Sequence, residues 1–312
     1  MALIFGKSIF YWVVPDVLRG DPAALALALK DSRIERIAVK AAQEAGPYML
    51  SPIYYPKWGE NVKPEWVAQV RAECEKVQWA IRIDGWGFNR GYNPKGEGQF
   101  AAKQVERLKL DGWEFDAEGA FDKQPNAAER AHVVASEFKA GTNKPGGWCS
   151  WPCFFSPYTS NKGTPWHPVD VAKRAMAVLD FAAPMVYWPN KGAYWAEFWL
   201  NASYEQWRKF TPKPYVPAGR LYNGDGGTCD VPGIIAFSNR VRSLSLPGQS
   251  NWHFNSGLKV KEWWTAWKSV EPWLAAPPPP VVPEPEPCES WEASVTAWAR
   301  SMGYTGPDPC EE

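Results

Sequence analysis

The run Asp111-Gly-Trp-Glu-Phe-Asp-Ala-Glu-Gly119 sets an acid at every second position of a strand-like segment. In a β-strand the side chains at i, i+2 and i+4 point to one face. Glu114, Asp116 and Glu118 therefore share a face, while Trp113, Phe115 and Ala117 take the other. Carboxylates in a row repel one another, and an apolar interior penalises them unless they are paired or hydrogen-bonded. Such a strand belongs in a fold that carries it to a polar cavity, where carboxylates do chemical work.

The remainder of the chain supplies that fold. Residues 8–270 read as eight rounds of strand then helix. The expected strands cover 8–14, 36–41, 79–86, 112–118, 147–151, 183–188, 215–221 and 249–255, mostly short apolar runs bounded by Gly or Pro, as strands buried on both faces should be. Helical patterns fall between and after them, at 22–30, 64–77, 99–110, 126–140, 168–179, 194–210, 232–244 and 260–270. Pro22, Pro64, Pro168 and Pro232 stand at or near first turns, where a helix tolerates proline. This alternation predicts an α/β protein, a (β/α)8 TIM barrel over residues 1–275. A doubly wound sheet is the structural rival, but no Gly-x-Gly-x-x-Gly follows the first strand and no phosphate loop occurs. A Pro-rich linker follows at 276–287, with seven prolines between 277 and 287, and should be extended. Trp291, Val295, Trp298 and Met302 then recur at helical spacing. The segment 288–312 is expected to be a short docking helix, closed by a Cys288–Cys310 disulfide if its surroundings are oxidising, and able to bind a protein partner or another copy.

Lys plus Arg and Asp plus Glu are equal at 34 each, so no charge excess favours nucleic acid or an anionic membrane. No apolar run approaches the roughly 20 residues of a membrane span. The first seven residues lack the charged-then-apolar order of a signal peptide, which predicts a protein cytoplasmic at synthesis. Cys149-Ser-Trp-Pro-Cys153 has no second pair to complete a zinc site, so neither a metal nor a cofactor is expected. The 20 tryptophans are unusual, and several stand beside Gly, Pro, Asn or His, where loops are expected. Exposed aromatic rings in a cleft suit the C–H faces of sugars.

Barrel active sites lie where the strands end. The third expected strand closes with Arg82-Ile-Asp84-Gly-Trp86 and the fourth with Asp116-Ala-Glu118. Trp151, the pair Tyr187-Trp188, Arg220 with Tyr222, and Trp252-His253-Phe254-Asn255 stand at the ends of the next four, and Lys40 near the end of the second. Paired carboxylates flanked by aromatics are the working groups of a glycosidase, one protonated and one ionised. Glu118 is the expected general acid, Asp116 its charge-stabilising partner, and Asp84 a third acid or an ion-pair partner. Glu114, the deepest, is expected to pair with Lys40 or Arg82. Trp86, Trp151, Tyr187, Trp188, Arg220, Tyr222, Trp252, His253 and Asn255 are the expected sugar-binding set.

The Asp116-Ala-Glu118 run resembles the Asp-x-Glu signature of glycoside hydrolase family 25, the lysozyme-type muramidases. Asn251-Trp-His-Phe254 is similar to that family's Trp-Gln-Tyr motif, with His253 and Phe254 as departures, and Tyr187-Trp188 fits its sixth-strand aromatic pair. The resemblance implies that Glu118 donates the proton, that Asp116 assists it, and that the substrate is peptidoglycan or a related N-acetylated glycan. Asp16 is displaced from the family's first-strand acid, and Asn255-Ser-Gly257 stands where the family carries another Asp. A phage lysis or virion glycosidase fits these observations. Two other readings stay open: a non-catalytic sugar-binding or structural barrel anchored through 288–312, and a barrel enzyme of another class using Lys40 or a divalent metal.

Overall fold

The computed structural model describes residues 5–273. The expected linker, docking helix and Cys288–Cys310 disulfide lie outside the described residues. Strands and helices alternate in the order β1 (Gly6–Tyr11), α1 (Pro22–Asp31), β2 (Arg36–Gln43), α2 (Pro64–Lys76), β3 (Arg82–Asn89), α3 (Pro94–Leu108), β4 (Trp113–Ala117) and α4 (Ala127–Gly141). They continue with β5 (Gly146–Cys149), α5 (Val169–Met176), β6 (Phe181–Ala182), α6 (Ala193–Arg208), β7 (Ala218–Arg220), α7 (Val231–Ser243), β8 (Gly248–Trp252) and α8 (Lys261–Ser269). Short helical turns, Gly119–Asp122 and Phe254–Gly257, follow β4 and β8 directly.

Neighbouring strands in the alternation are parallel, running β6-β5-β4-β3-β2-β1-β8-β7 across the sheet. The two ends of that path meet through parallel bridges, Ala182 with Tyr215 and Met185 with Ala218. Val216 N donates to Ala182 O and Ala218 N to Pro184 O, both at 2.8 Å. The strands thus close into a (β/α)8 barrel. Regular pairing on β6 is confined to two residues because Pro184, having no N–H, breaks the ladder.

Alternation along the strands divides two cores. Ile9, Ile37, Val39, Ile83, Phe115 and Trp148 face outward and bury against helix residues such as Leu25, Leu29, Val70, Val105 and Phe138. Phe10, Ala38, Trp86, Phe181, Ala183 and Ala218 fill the barrel itself. Prolines open α1, α2 and α3 at the first helical position, and Asp21, Asn93 and Asp230 cap α1, α3 and α7 through side-chain oxygens.

The lower barrel is polar rather than apolar. Arg36, fully buried, donates from Nε to Asp84 Oδ2 at 2.7 Å and from Nη2 to Glu114 Oε1. Its Nη1 reaches Ser8 Oγ and Ser250 Oγ at 3.3 Å each, and Arg82 Nε completes Asp84 at 2.9 Å. The rings of Phe5 and Phe181 cover the Arg36 guanidinium at 5.4 and 5.8 Å. Gly147 permits this arrangement, since a Cβ there would come within 2.3 Å of the Phe181 ring. Two cations meet two carboxylates, so the plug is neutral. Removing one member leaves the others charged and dry, which costs about 3–5 kcal/mol. Arg36→Met should therefore lower the unfolding free energy by about that amount in urea denaturation; an unchanged midpoint would refute this role.

Candidate active site

Strand β4 carries its three acids to three depths, and each meets a different environment. Glu114 is paired at the floor with Arg36, correcting the expectation of Lys40 or Arg82. Arg36 starts lower on its strand, but its long side chain climbs to the level of Glu114. Asp116 makes no ion pair, and its Oδ1 is buried without a hydrogen-bond donor among the described residues. Glu118 stands just beyond the last residue of β4, at the start of the turn Gly119–Asp122.

The Asp116 and Glu118 carboxyl groups lie within hydrogen-bonding reach of one another. Burial, and then the charge of Glu118, hold Asp116 well above the usual carboxylate range. Glu118 is raised as well, first by burial and next by the charge of Asp225, while the bond with Asp116 pulls it back. One proton shared by the pair accounts for these directions.

A cavity of about 80 Å³ opens beside the pair, lined by Phe10, Trp86, Cys149, Met185, Tyr187 and Trp252 as well as the acids. Burial holds the Tyr187 phenol well above its ordinary value, so it remains a neutral donor. Trp252 packs edge-on to Trp86 at 5.2 Å, forming an aromatic wall. A second cavity of about 340 Å³ shares Glu118, Met185, Tyr187 and Asp225 with the first and extends past Trp151, Trp166, His167 and Trp199. There the Trp151 ring stacks on His167 at 3.9 Å, and its Nε1 donates to Asp122 Oδ2 at 2.7 Å. Helix α6 holds this wall: Gln206 Oε1 accepts from Phe154 N and Phe155 N, its Nε2 donates to Phe155 O, and Trp207 Nε1 donates to Trp151 O. A third cavity, of about 420 Å³, lies at the opposite end of the barrel, where Arg71 and the Ile83 N–H take up Asp111 and the Lys7 and Trp273 N–H groups take up Glu35.

Several expected site residues fall elsewhere. Asp84 is no third acid of the cleft. Strand β3 continues to Asn89 and aligns Phe88 with Asp116, so Asp84 sits four residues lower, roughly 13 Å along a strand, inside the floor network. Trp188 faces outward into the helix layer against Phe237, because adjacent residues on a strand point to opposite sides and Tyr187 takes the inner one. His253 and Asn255 line neither cavity. His253 Nε2 pairs with Ser256 Oγ at 2.9 Å, and burial lowers the imidazole to about 4, leaving it neutral. Asn255 Nδ2 donates to Val13 O. Arg220 is buried behind the wall, its guanidinium over Tyr187 and Tyr222 at 5.6 and 5.2 Å. Tyr222 donates to Asp225 rather than facing the cavity.

Asp225, which lines both cavities, escapes a reading confined to strand ends. It lies on the tight loop after β7 where Gly224 bridges Gly227, and Gly224-Asp225-Gly226-Gly227 is the signal that marks such a turn. Among the described residues no cluster of His, Cys, Asp and Glu suits a metal, the four cysteines are free and buried, and no helix is long and apolar enough to cross a membrane.

The chain matches no protein-family model and no curated protein sequence. Among solved structures it is similar to a GH18 chitinase from Pseudoalteromonas aurantia, at 14% identity and TM-score 0.59, over 83% of this chain and 97% of that one. It is also similar to an endo-1,4-β-D-mannanase from Thermotoga petrophila, at 13% identity and TM-score 0.56, covering 80% and 88% of the two chains. A class V chitinase from Nicotiana tobaccum in complex with NAG4 has 10% identity and TM-score 0.56, over 86% and 99%. These likenesses establish the barrel and lie among glycoside hydrolases; a specific likeness to the lysozyme-type muramidases is not supported.

Because Asp116 is held protonated in the folded chain but ionises freely once unfolded, it subtracts stability as pH rises above the ordinary carboxylate range. Asp116→Asn lacks that titration. Its melting temperature should rise relative to wild type between about pH 4 and about pH 7, followed by calorimetry. A difference that is flat with pH would rule out a retained proton.

Proposed function

We propose that this chain is a glycoside hydrolase that cuts a polysaccharide containing N-acetylated hexosamines, with Glu118 as the general acid and the substrate's own acetamido group as the nucleophile. The close approach of Asp116 and Glu118 carries this reading. Two carboxylates that flank a scissile bond stand about 5–5.5 Å apart in retaining glycosidases and about 6.5–9.5 Å apart in inverting ones. A pair in mutual hydrogen-bonding reach fits neither spacing, so Asp116 is not the group that attacks.

The cavity beside the pair suits an acetamide. Asp116 Oδ1 lacks a donor and can accept the N–H, Tyr187 can donate to the carbonyl oxygen, and Phe10, Cys149 and Met185 offer apolar contact to the methyl group. An N–H bonded to Asp116 favours its carboxylate form, which sends the shared proton to Glu118 just as substrate fills the site. Glu118 then protonates the glycosidic oxygen as the bond to C1 breaks and its electron pair leaves with that oxygen. The acetamide oxygen bonds to C1, giving a cyclic oxazolinium ion. Water next attacks C1, the ring reopens, and the water's proton passes to Glu118. Tyr187 and Asp116 stabilise the charge that develops on the acetamide. The second cavity, with Trp151 and Trp166, offers stacking surfaces for further sugar units of an extended chain. Peptidoglycan, the substrate class to which the sequence motifs point, and chitin both carry the required acetamide.

Reducing-end release from chitin and from peptidoglycan tests this. Glu118→Gln should lose about 10²–10⁴-fold in kcat, and Tyr187→Phe about 10²–10³-fold. A thiazoline analogue of the N-acetyl sugar should inhibit. Cleavage of mannan without such inhibition would transfer the role of nucleophile or base to Asp225, and absence of turnover on every polysaccharide would leave a binding barrel. Asp225 holds Glu118 up by its charge. Asp225→Asn should therefore move the alkaline limb of kcat/KM to lower pH; an unmoved limb would show that the two carboxylates are not coupled.

A further inference from the structure

Lys40 is a cation at the mouth that the hydrolytic steps do not use. It lies near the C-terminal end of β2, level with Trp86 on β3, and is 7% exposed. Its Nζ sits 4.2 Å from the Tyr48 ring centre, 4.8 Å from Trp86 and 5.7 Å from Trp12. Among the described residues the ammonium makes no ion pair and no hydrogen bond, so Asp116 and Glu118 act on it only through their field. Aromatic faces hold an ammonium by their quadrupoles, yet they leave its three N–H donors without a strong acceptor. Burial lowers this ammonium to about 8, and it remains mostly charged at neutral pH.

The cage also fixes where those donors stand relative to a bound sugar. Trp86 belongs to the wall of the acid cavity, and Trp12 packs against Trp252, another wall residue, at 5.9 Å. The Lys40 ammonium thus borders the wall that a bound sugar would contact, with Trp86 common to both. A neutral N-acetylglucosamine polymer presents only hydroxyls and the acetamide, whereas an acidic sugar presents a carboxylate that satisfies the donors and neutralises the charge.

We propose that Lys40 is a specificity-determining residue that binds a carboxylate carried by the sugar, so that the substrate is an acidic N-acetylated glycan rather than a neutral one. This rests on the glycan reading above and narrows it. The lactyl ether of a muramic acid and the C5 carboxylate of a uronic acid present the same group, and the experiment separates them.

Binding is measured by calorimetry on the full chain carrying Glu118→Gln, so that turnover plays no part. The probes are chitotetraose, an N-acetylglucosamine–N-acetylmuramic acid tetrasaccharide, the same tetrasaccharide with its lactyl carboxylates amidated, and a glucuronate–N-acetylglucosamine tetrasaccharide. With Lys40 present, one of the two acidic ligands should bind about ten- to a hundredfold more tightly than chitotetraose, and which one does so identifies the source of the carboxylate. If it is the muramyl ligand, amidation should remove the gain. Adding Lys40→Met, which keeps the aliphatic stem in the cage, should abolish the preference, while Lys40→Arg should keep most of it. Equal affinity for acidic and neutral ligands in the presence of Lys40 overturns the proposal. So does a Lys40→Met loss that is the same for both, which would make Lys40 a partner of the acid pair. Failure of every saccharide to bind would overturn the glycan reading itself, and this narrower one with it.

Discussion

The guanidinium of Arg36 is the interaction on which the barrel and its mouth depend. It bridges acids from β3 and β4 and hydroxyls from β1 and β8, joining four strands through one side chain. A row of carboxylates on β4 would otherwise face a dry interior. With the lowest of them neutralised, the upper two can remain without cations of their own. Arginine suits the position because its flat fork offers donors in several directions and stays charged when buried. Phe5 and Phe181 close the plug on the other side, so the polar floor is sheltered rather than wet.

Compensation weakens along β4 from floor to mouth. Glu114 has a direct ion pair, Asp116 has a proton shared with its neighbour, and Glu118 has its share of that proton with weaker fields of opposite sign from Asp225 and Lys40. Chemical reactivity follows the same gradient in reverse. A carboxylate fixed by arginine has no freedom to exchange a proton, whereas one that shares a proton can release it when a new hydrogen bond arrives. In the proposed reaction one strand thus serves both as a structural post and as an acid, and depth separates the roles.

Much of this architecture was legible in the residues. The alternation of apolar runs with Pro-opened helical patterns located every helix and seven of the eight strands, the sixth falling at Phe181–Ala182 rather than at 183–188, and the period of two in 114, 116 and 118 set those acids on one face. What the sequence could not show was lateral register. Asp84 looked like a strand end because Gly85 and Trp86 resemble a boundary, yet β3 extends three residues past Trp86 and leaves Asp84 deep. Arg36 was passed over as the partner of Glu114 because the pairing crosses from β2 to β4 over an intervening strand. Trp188 was grouped with Tyr187, although neighbours on an extended chain must part to opposite sides. Asp225 depended on the path of a loop, and the caging of Lys40 by Trp12, Tyr48 and Trp86 joins residues distant in sequence. Local pattern named most of the elements and the row of acids; depth and facing direction came from packing across strands.

The hold of Gln206 on Phe154 and Phe155 gives the two sides of the cleft different mechanical attachments. Asp116 and the base of Glu118 are anchored to the parallel sheet, the stiffest part of the barrel. The Trp151 side is held by one amide and one indole from α6, a helix that packs on α7, and by Asp122 in the turn after β4. The amide mimics a neighbouring strand, accepting two backbone N–H groups and donating to one carbonyl. One jaw of the cleft is therefore built on the sheet and the other on the outer layer of helices.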